Sequence, residues 1–356
     1  MSPDGAATPR RKRLGVIGTF VWDVIHGRDV RTAPVEEWGG IAYALGALDA
    51  ALPEGWEVVP VIKVGDDLAA RARAYLRTLR RVAPDAPLVE VPYPNNRVEL
   101  FYYSSERRSE LLRGGVPGWT WLGLAPLLEG LDALYVNFIS GFELDLETAQ
   151  LVRQHFKGVM YGDLHSLTLA VQPGGLRTMR PLADVPAWCR CFDLVQVNED
   201  EVAMMAPDPM GLAATALANG VRALHVTMGK RGAVYFAQPA FDGLRDEASG
   251  EVELAGGPAR AEARADVVAG LGGSAAGPLR TALVPAALAP SGGPAADEGD
   301  PTGCGDVWGA THFSRLLAGD RLEDAIAAAH RAAARNVAHR GATGLASYLR
   351  GEIGAA

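Results

Sequence analysis

The chain has 356 residues, 48% hydrophobic and 21% charged, which is enough to bury a sizeable core and too long for the smallest single domains. Its formal net charge of -8 excludes a global attraction for nucleic acid or an anionic membrane, so any phosphate it binds needs a local device. No apolar run approaches the roughly 18 residues of a membrane span. The three cysteines, Cys189, Cys191 and Cys304, give neither a disulfide framework nor zinc-ligand spacing, so a reducing cytoplasm fits best.

In chain order, residues 1–13, ending in the basic run Arg10, Arg11, Lys12 and Arg13, read as a flexible solvated tail. Short β-branched runs at 14–17, 58–64, 133–138, 159–161, 194–197 and 224–227 predict strands. Between them, apolar spacing predicts helices over 40–52, 67–81, 145–156, 210–219 and 320–339. Repeated strand then helix predicts an α/β fold of parallel strands joined by crossovers, with both sheet faces covered. Two stretches break this rhythm. Residues 89–112 alternate apolar and polar around Asn95 and Asn96, which predicts a turn and an exposed antiparallel pair, a lid. Residues 238–297, dominated by Gly, Ala, Pro and Ser, predict an irregular insertion with no assigned chemistry.

The most informative stretch is GDPTGCGDVWGA at 299–310. Gly303 and Gly305 let the backbone turn tightly and approach an anion, and the residues after them start a helix whose unpaired N–H groups carry partial positive charge. An isolated GxGD equally suits a plain helix start with Asp306 in the first turn. A Walker-type GxxxxGK[ST] is absent, and GVIG at 15–18 lacks the dinucleotide fingerprint.

Asp300-x-Thr302-Gly303-x-Gly305-Asp306 resembles the D-x-T-G-A-G-D signature of the ribokinase-like (PfkB) kinases, with Cys304 in place of alanine. Four further segments resemble that family in the same order: Gly18 and Asp23 (G-x-x-x-x-D), Gly39-Gly40 followed by Val64-Gly65-Asp66-Asp67, Asn198 to Glu201 (N-x-x-E), and Thr227-x-Gly229-x-x-Gly232. The resemblance covers residues 14–350 and implies a three-layer α/β sandwich with a mostly parallel central sheet and a small β lid from strands near 28–38 and 88–115. It implies ATP as donor and Mg2+, and allows K+ near Asp300 and Thr302. It implies Asp306 as general base, with Gly303, Cys304 and Gly305 supplying an anion hole against which the Cys304 thiol lies partly accessible. Asp23, Gly39 and Gly40 would bind substrate. Thr227, Gly229, Gly232 and Thr302 would border the nucleotide, and Asn198 and Glu201 would organise the metal through its waters.

The departures concern substrate. Ala44 stands where many sugar kinases have asparagine, and Asp163-Leu164-His165-Ser166-Leu167 lacks the arginine of their D-x-N-x-R. Trp22, Trp38 and Tyr43 either stack on substrate or pack in the core or lid; Trp308 reads as core, His330 as a helix-surface residue, and Arg107 and Arg108 as a solvated hairpin face. A sugar kinase is the first expectation. A nucleoside kinase and a silent sugar or nucleotide sensor are the alternatives, and the lid either closes over substrate or pairs with a second copy through its edge.

Overall fold

The computed structural model describes residues 10–26, 33–102, 108–246, 249–257, 279–287 and 300–354. In it the first strand, β1 (Lys12–His26), is much longer than the predicted 14–17. Its first half lies parallel between two neighbours, Leu14–Ile17 along Ala133–Val136 and Lys12–Thr19 along Trp56–Lys63. From Phe20 onward the same strand leaves them, pairing antiparallel with β2 (Val35–Gly40) and, from Trp22, parallel with β5 (Arg97–Tyr102). One strand thus serves both the main sheet and the lid.

The remaining strands are β3 (Trp56–Gly65), β4 (Leu88–Val91), β6 (Arg108–Arg113), β7 (Ala133–Asn137), β8 (Val159–Asp163), β9 (Leu169–Val171), β10 (Arg177–Met179), β11 (Leu194–Asn198), β12 (Ala223–Thr227), β13 (Ala233–Ala237) and β14 (Arg280–Val284). The main sheet runs β14-β13-β12-β11-β8-β7-β1-β3-β4, parallel except where β13 and β14 fold back antiparallel at one edge. Alternate side chains serve opposite faces: Tyr135 and Tyr161 join one buried cluster, while Leu134, Val136 and Met160 join the other. On the first face pack α1 (Ile41–Ala51), α8 (Cys304–Leu317), α9 (Leu322–Asn336) and α10 (Leu345–Leu349). The second face is covered by α4 (Leu146–His155), α5 (Val185–Arg190) and α7 (Pro209–Ala218). Of the shorter helices, α2 (Ala69–Leu76) lies near β3, α3 (Trp121–Leu124) against α4, and α6 (Glu199–Met205) follows β11. Among the described residues no helix is long and apolar enough to cross a membrane.

Four expectations change. Leu88–Val91 is a main-sheet strand parallel to β3, so the antiparallel lid pair is β5 with β6 alone. Asn95 and Asn96 are not the hairpin turn: they are buried, and Asn95 accepts from the Gly65 N–H (3.0 Å) and donates to the Phe20 carbonyl (3.0 Å). The hairpin's own turn and Arg107 lie outside the described residues, as do 27–32 and 1–9. The 238–297 stretch holds a strand, β14, along β13, and buries Phe241 and Leu244, while Leu254 accepts from the Val159 N–H (2.7 Å); 258–278 and 288–299 lie outside the described residues. The basic run is partly structured, since Arg10 pairs with Asp132 (2.8 Å) and Arg13 with Asp85 (2.7 Å).

His330 is not a surface residue. It is buried, takes a hydrogen bond from the Trp308 indole N–H (3.2 Å), and its Nε2 faces the Val284 carbonyl (3.1 Å). Beneath it His312 stacks on Trp308 and meets His225 edge-on, with ring centroids 4.4 Å apart in the latter pair; neither nitrogen of His312 has a partner among the described residues. Burial, only partly offset by the Val195 carbonyl, pushes His225 down to about 4, and burial with the neighbouring imidazoles pushes His312 well down. The unfolded chain therefore takes up protons below about pH 6.5 that the folded chain refuses, so this contribution to stability is lost as pH falls from about 6.5 toward about 4. His312→Phe should flatten that limb: denaturant unfolding at pH 7 and pH 5 should show the variant losing roughly 1–2 kcal/mol less than the parent.

Candidate active site

Because β7, β8, β11 and β12 run parallel, their C-terminal residues Asn137, Asp163, Asn198 and Thr227 reach the same edge of the sheet, where crevices in such folds form. The N-terminus of α8 faces this edge. Between them lies a cleft of about 210 Å³, lined by Asp163, His165, Gln196, Asn198, Glu201, Thr227 and the turn Gly303 to Asp306.

The turn is made by Gly303, whose φ of 75° is left-handed and whose added Cβ would lie 2.3 Å from the Tyr43 ring. The first intrahelical bond is Val307 N–H to the Gly303 carbonyl (2.9 Å). Among the described residues the N–H groups of Gly303 and Gly305 have no acceptor, whereas that of Cys304 already donates to Pro301 (3.1 Å). The expected anion hole is therefore reduced by one donor at Cys304. Gly305 differs from Gly303 in kind: its φ is ordinary, and a Cβ there would meet nothing nearer than Gln196 Nε2 at 3.9 Å. Packing does not require this glycine; an approach from the cleft would.

Several buried amides hold the turn in place. Asn336 Nδ2 donates to the Thr302 carbonyl (2.9 Å) and the Cys304 sulfur (3.4 Å). Gln196 Nε2 donates to the Gly305 carbonyl (3.1 Å), and its Oε1 accepts from the Tyr161 hydroxyl (2.8 Å). Burial, only partly countered by Asn336, pushes the Cys304 thiol up to about 11, so the half-buried sulfur is a poor nucleophile at neutral pH.

Asp306, in the first turn of α8, accepts from Asn137 Nδ2 at 2.7 Å. Asp163 is buried, and burial with the charges of Glu201 and Asp306 pushes its carboxyl well up despite the opposing pull of His165. Burial would lower His165, but its contact with Glu201 (2.6 Å) and the nearby Asp163 and Asp306 outweigh this and raise it to about 9. Asn198 and Glu201 form a reciprocal capping box at the start of α6: Glu201 N–H to Asn198 Oδ1 (3.0 Å), Asn198 N–H to Glu201 Oε2 (2.8 Å). Glu201 Oε1 also accepts from Asn198 Nδ2 and His165, and a carboxylate offers about four lone-pair sites. The pair therefore fits a hold on magnesium through water, not direct ligation, and the described residues contain no cluster of three metal-ligating side chains.

The substrate-side residues are placed elsewhere. Asp23 lies on the lid half of β1, with its carboxylate so close over Gly39 that a Cβ there would stand 1.7 Å from Oδ2. Gly40, at φ 56°, starts α1. Tyr43 connects the two regions: its ring lies on Gly303, and burial together with the charges of Asp23, Asp300 and Asp306 holds its phenol well above the usual range. Trp22 and Trp38 are buried against each other with centroids 5.1 Å apart, so they pack in the core. Trp308 is also core, and Arg108 lies in β6. Gly229 and Gly232 form the β12–β13 turn and do not line the cleft, and Thr302 is buried behind it. Sequence reasoning missed Asn137, Gln196 and Asn336. For the first two a signal existed, a lone amide inside an otherwise apolar strand.

No family model and no curated protein sequence matches the chain. Solved structures do. A nucleoside kinase from Burkholderia thailandensis in complex with inosine is 16% identical with a TM-score of 0.64, covering 96% of this chain and 95% of that one. The chain has the ribokinase-like fold. A ribokinase from Thermotoga maritima, 15% identical, superposes with a TM-score of 0.61 over 96% and 99% of the two chains. A pyrophosphate-dependent kinase in the ribokinase family, complexed with a pyrophosphate analog and myo-inositol, is 14% identical with a TM-score of 0.62 over 92% and 96%. The mostly parallel sheet flanked by helices, with a small lid, is the arrangement this ribokinase-like chain shares with them.

The two glycines of the turn should separate by substitution. Gly303→Ala meets both a left-handed φ and the Tyr43 ring, and should lower the melting temperature by several degrees. Gly305→Ala should leave it unchanged or raised, since alanine favours the helix by about 0.5–1 kcal/mol. Calorimetry that finds both variants equally destabilised contradicts the assignment of Gly305 to an incoming ligand.

Proposed function

We propose that this chain is a kinase that transfers the terminal phosphoryl group of ATP to a hydroxyl of a small sugar-like molecule. The observation that carries the reading is a carboxylate, Asp306, set at a helix N-terminus beside two N–H groups without acceptors among the described residues, at the C-terminal edge of a parallel sheet. Phosphoryl transfer needs an in-line nucleophile and donors placed where charge accumulates. The acceptor hydroxyl donates to the Asp306 carboxylate and passes it the proton as its oxygen bonds to the γ-phosphorus, while the bond from that phosphorus to the leaving oxygen breaks. The N–H groups of Gly303 and Gly305, fixed by Gln196 and Asn336, meet the growing negative charge without reorganising. Asn198 and Glu201 would hold magnesium through water, where the ion would neutralise phosphate charge, and His165 adds a positive side chain to the cleft.

Asp23, with its carboxylate pressed over Gly39, is the proposed ligand of acceptor hydroxyls. The absence of the arginine near Asp163 disfavours a phosphorylated acceptor. With Trp22, Trp38 and Tyr43 buried, the stacking that would favour a nucleobase loses its support, so the sugar-like acceptor comes first.

A turnover screen of sugars, polyols, sugar acids and nucleosides, each with ATP and with pyrophosphate plus magnesium, should find ATP-dependent transfer to a sugar or polyol. Asp306→Asn should then lower turnover by about 10²–10⁴-fold with donor affinity nearly unchanged. Near-normal turnover in that variant would mean that Asp306 serves only the helix start.

A further inference from the structure

Asn137 is the last residue of β7, fully buried, on the same face of the strand as Tyr135 and therefore under α8. Its side-chain amide donates to Asp306 Oδ1 at 2.7 Å. A carboxylate only accepts, which fixes which end of the amide faces it. The rest of the amide lies beside the buried Tyr135 hydroxyl, with which it interacts. Burying an amide costs stability that only its hydrogen bonds offset, so its presence here points to those bonds. The preceding residues Leu134, Tyr135 and Val136 show that this strand otherwise fills the interior with large, mainly apolar side chains. An asparagine here therefore serves its hydrogen bonds, and the one that reaches the cleft goes to Asp306.

We infer that Asn137 is a positioning residue, which anchors one oxygen of the Asp306 carboxylate and so fixes the point in the cleft at which the acceptor's proton is taken. This inference rests on the kinase reading above. Losing this hydrogen bond removes the hold on Oδ1, and a displacement of about 1 Å in a reacting group is worth up to about 10²-fold in rate. The donor phosphates lie on the other side of the turn, against Gly303 and Gly305, so their binding does not depend on it.

The test is a comparison of Asn137→Leu, Asn137→Ala and Asn137→Ser, each alone and combined with Asp306→Asn, with melting temperature, ATP affinity by calorimetry and turnover read for all. For Asn137→Leu we expect a melting temperature lower by no more than a few degrees, ATP affinity within about twofold, and kcat lower by about 10–100-fold. In the Asp306→Asn background the same change should alter residual turnover by less than about threefold, because it acts through a carboxylate no longer present. Turnover that falls in step with melting temperature across the three substitutions, or losses that multiply in the double variants, would overturn the positioning role. Wild-type protein that turns over no acceptor overturns the kinase reading, and this inference with it; an active wild type with multiplying losses overturns this inference alone.

Discussion

A left-handed glycine at the entrance of α8 is the constraint on which the cleft depends. With φ at 75°, Gly303 reverses the chain after Asp300 and Pro301 and sets the N-terminus of α8 across the cleft from the ends of β8, β11 and β12. The same reversal brings the Gly303 backbone flat against Tyr43, on α1, and so joins the anion turn to the helix that follows Gly39 and Gly40. Any side chain at this position would push α1 and α8 apart. The packing of two helices and the placing of the proposed base are thus one steric condition.

The second constraint is electrostatic. Among the described residues lining the cleft there is no lysine or arginine, while Asp163, Glu201 and Asp306 all contribute carboxyl groups. Such a site would repel a polyphosphate unless its negative charge were reduced. Burial pushes Asp163 toward its neutral form, and Glu201 draws His165 into its positive form, so two of the site's own pairings lessen the charge before any ligand arrives. Backbone N–H groups supply the rest, and they carry attraction for an anion without the entropy cost of ordering long cationic side chains. This is compatible with a protein whose net charge is -8.

The continuity of β1 gives the lid its mechanical place. Because residues 12–19 belong to the main sheet and Phe20 onward to the lid sheet, the lid is hinged on a strand and not on a loop. Asp23 lies just beyond the change of partner, between the lid strands β2 and β5. The outer lid strand β6 is in turn met by the Gly175 turn of the β9–β10 hairpin, whose carbonyl accepts from the Leu112 N–H at 2.8 Å.

The sequence by itself determined what depends on near neighbours. Strand and helix alternation follows from apolar period, and the Gly303 to Asp306 turn and the Asn198–Glu201 capping box span four residues each, so these helix starts were legible in the order of letters. Tertiary structure decided whatever depends on contacts between distant segments. Asn137 and Asp306 are 169 positions apart, and nothing local to ALYVN says which helix its terminal amide will meet. The alanine-rich period of α9 placed His330 on its outer side, yet β14 and Trp308 cover that side, and β14 was concealed in a stretch whose composition reads as irregular. Likewise Asn95 and Asn96 carry turn chemistry, but backbone groups of β1 and β3 claimed the Asn95 amide and the Val116 N–H claimed the Asn96 carbonyl oxygen instead. Propensity is a property of a few consecutive residues, and burial overrides it because an unpaired polar group in the interior costs more than a locally unfavourable conformation.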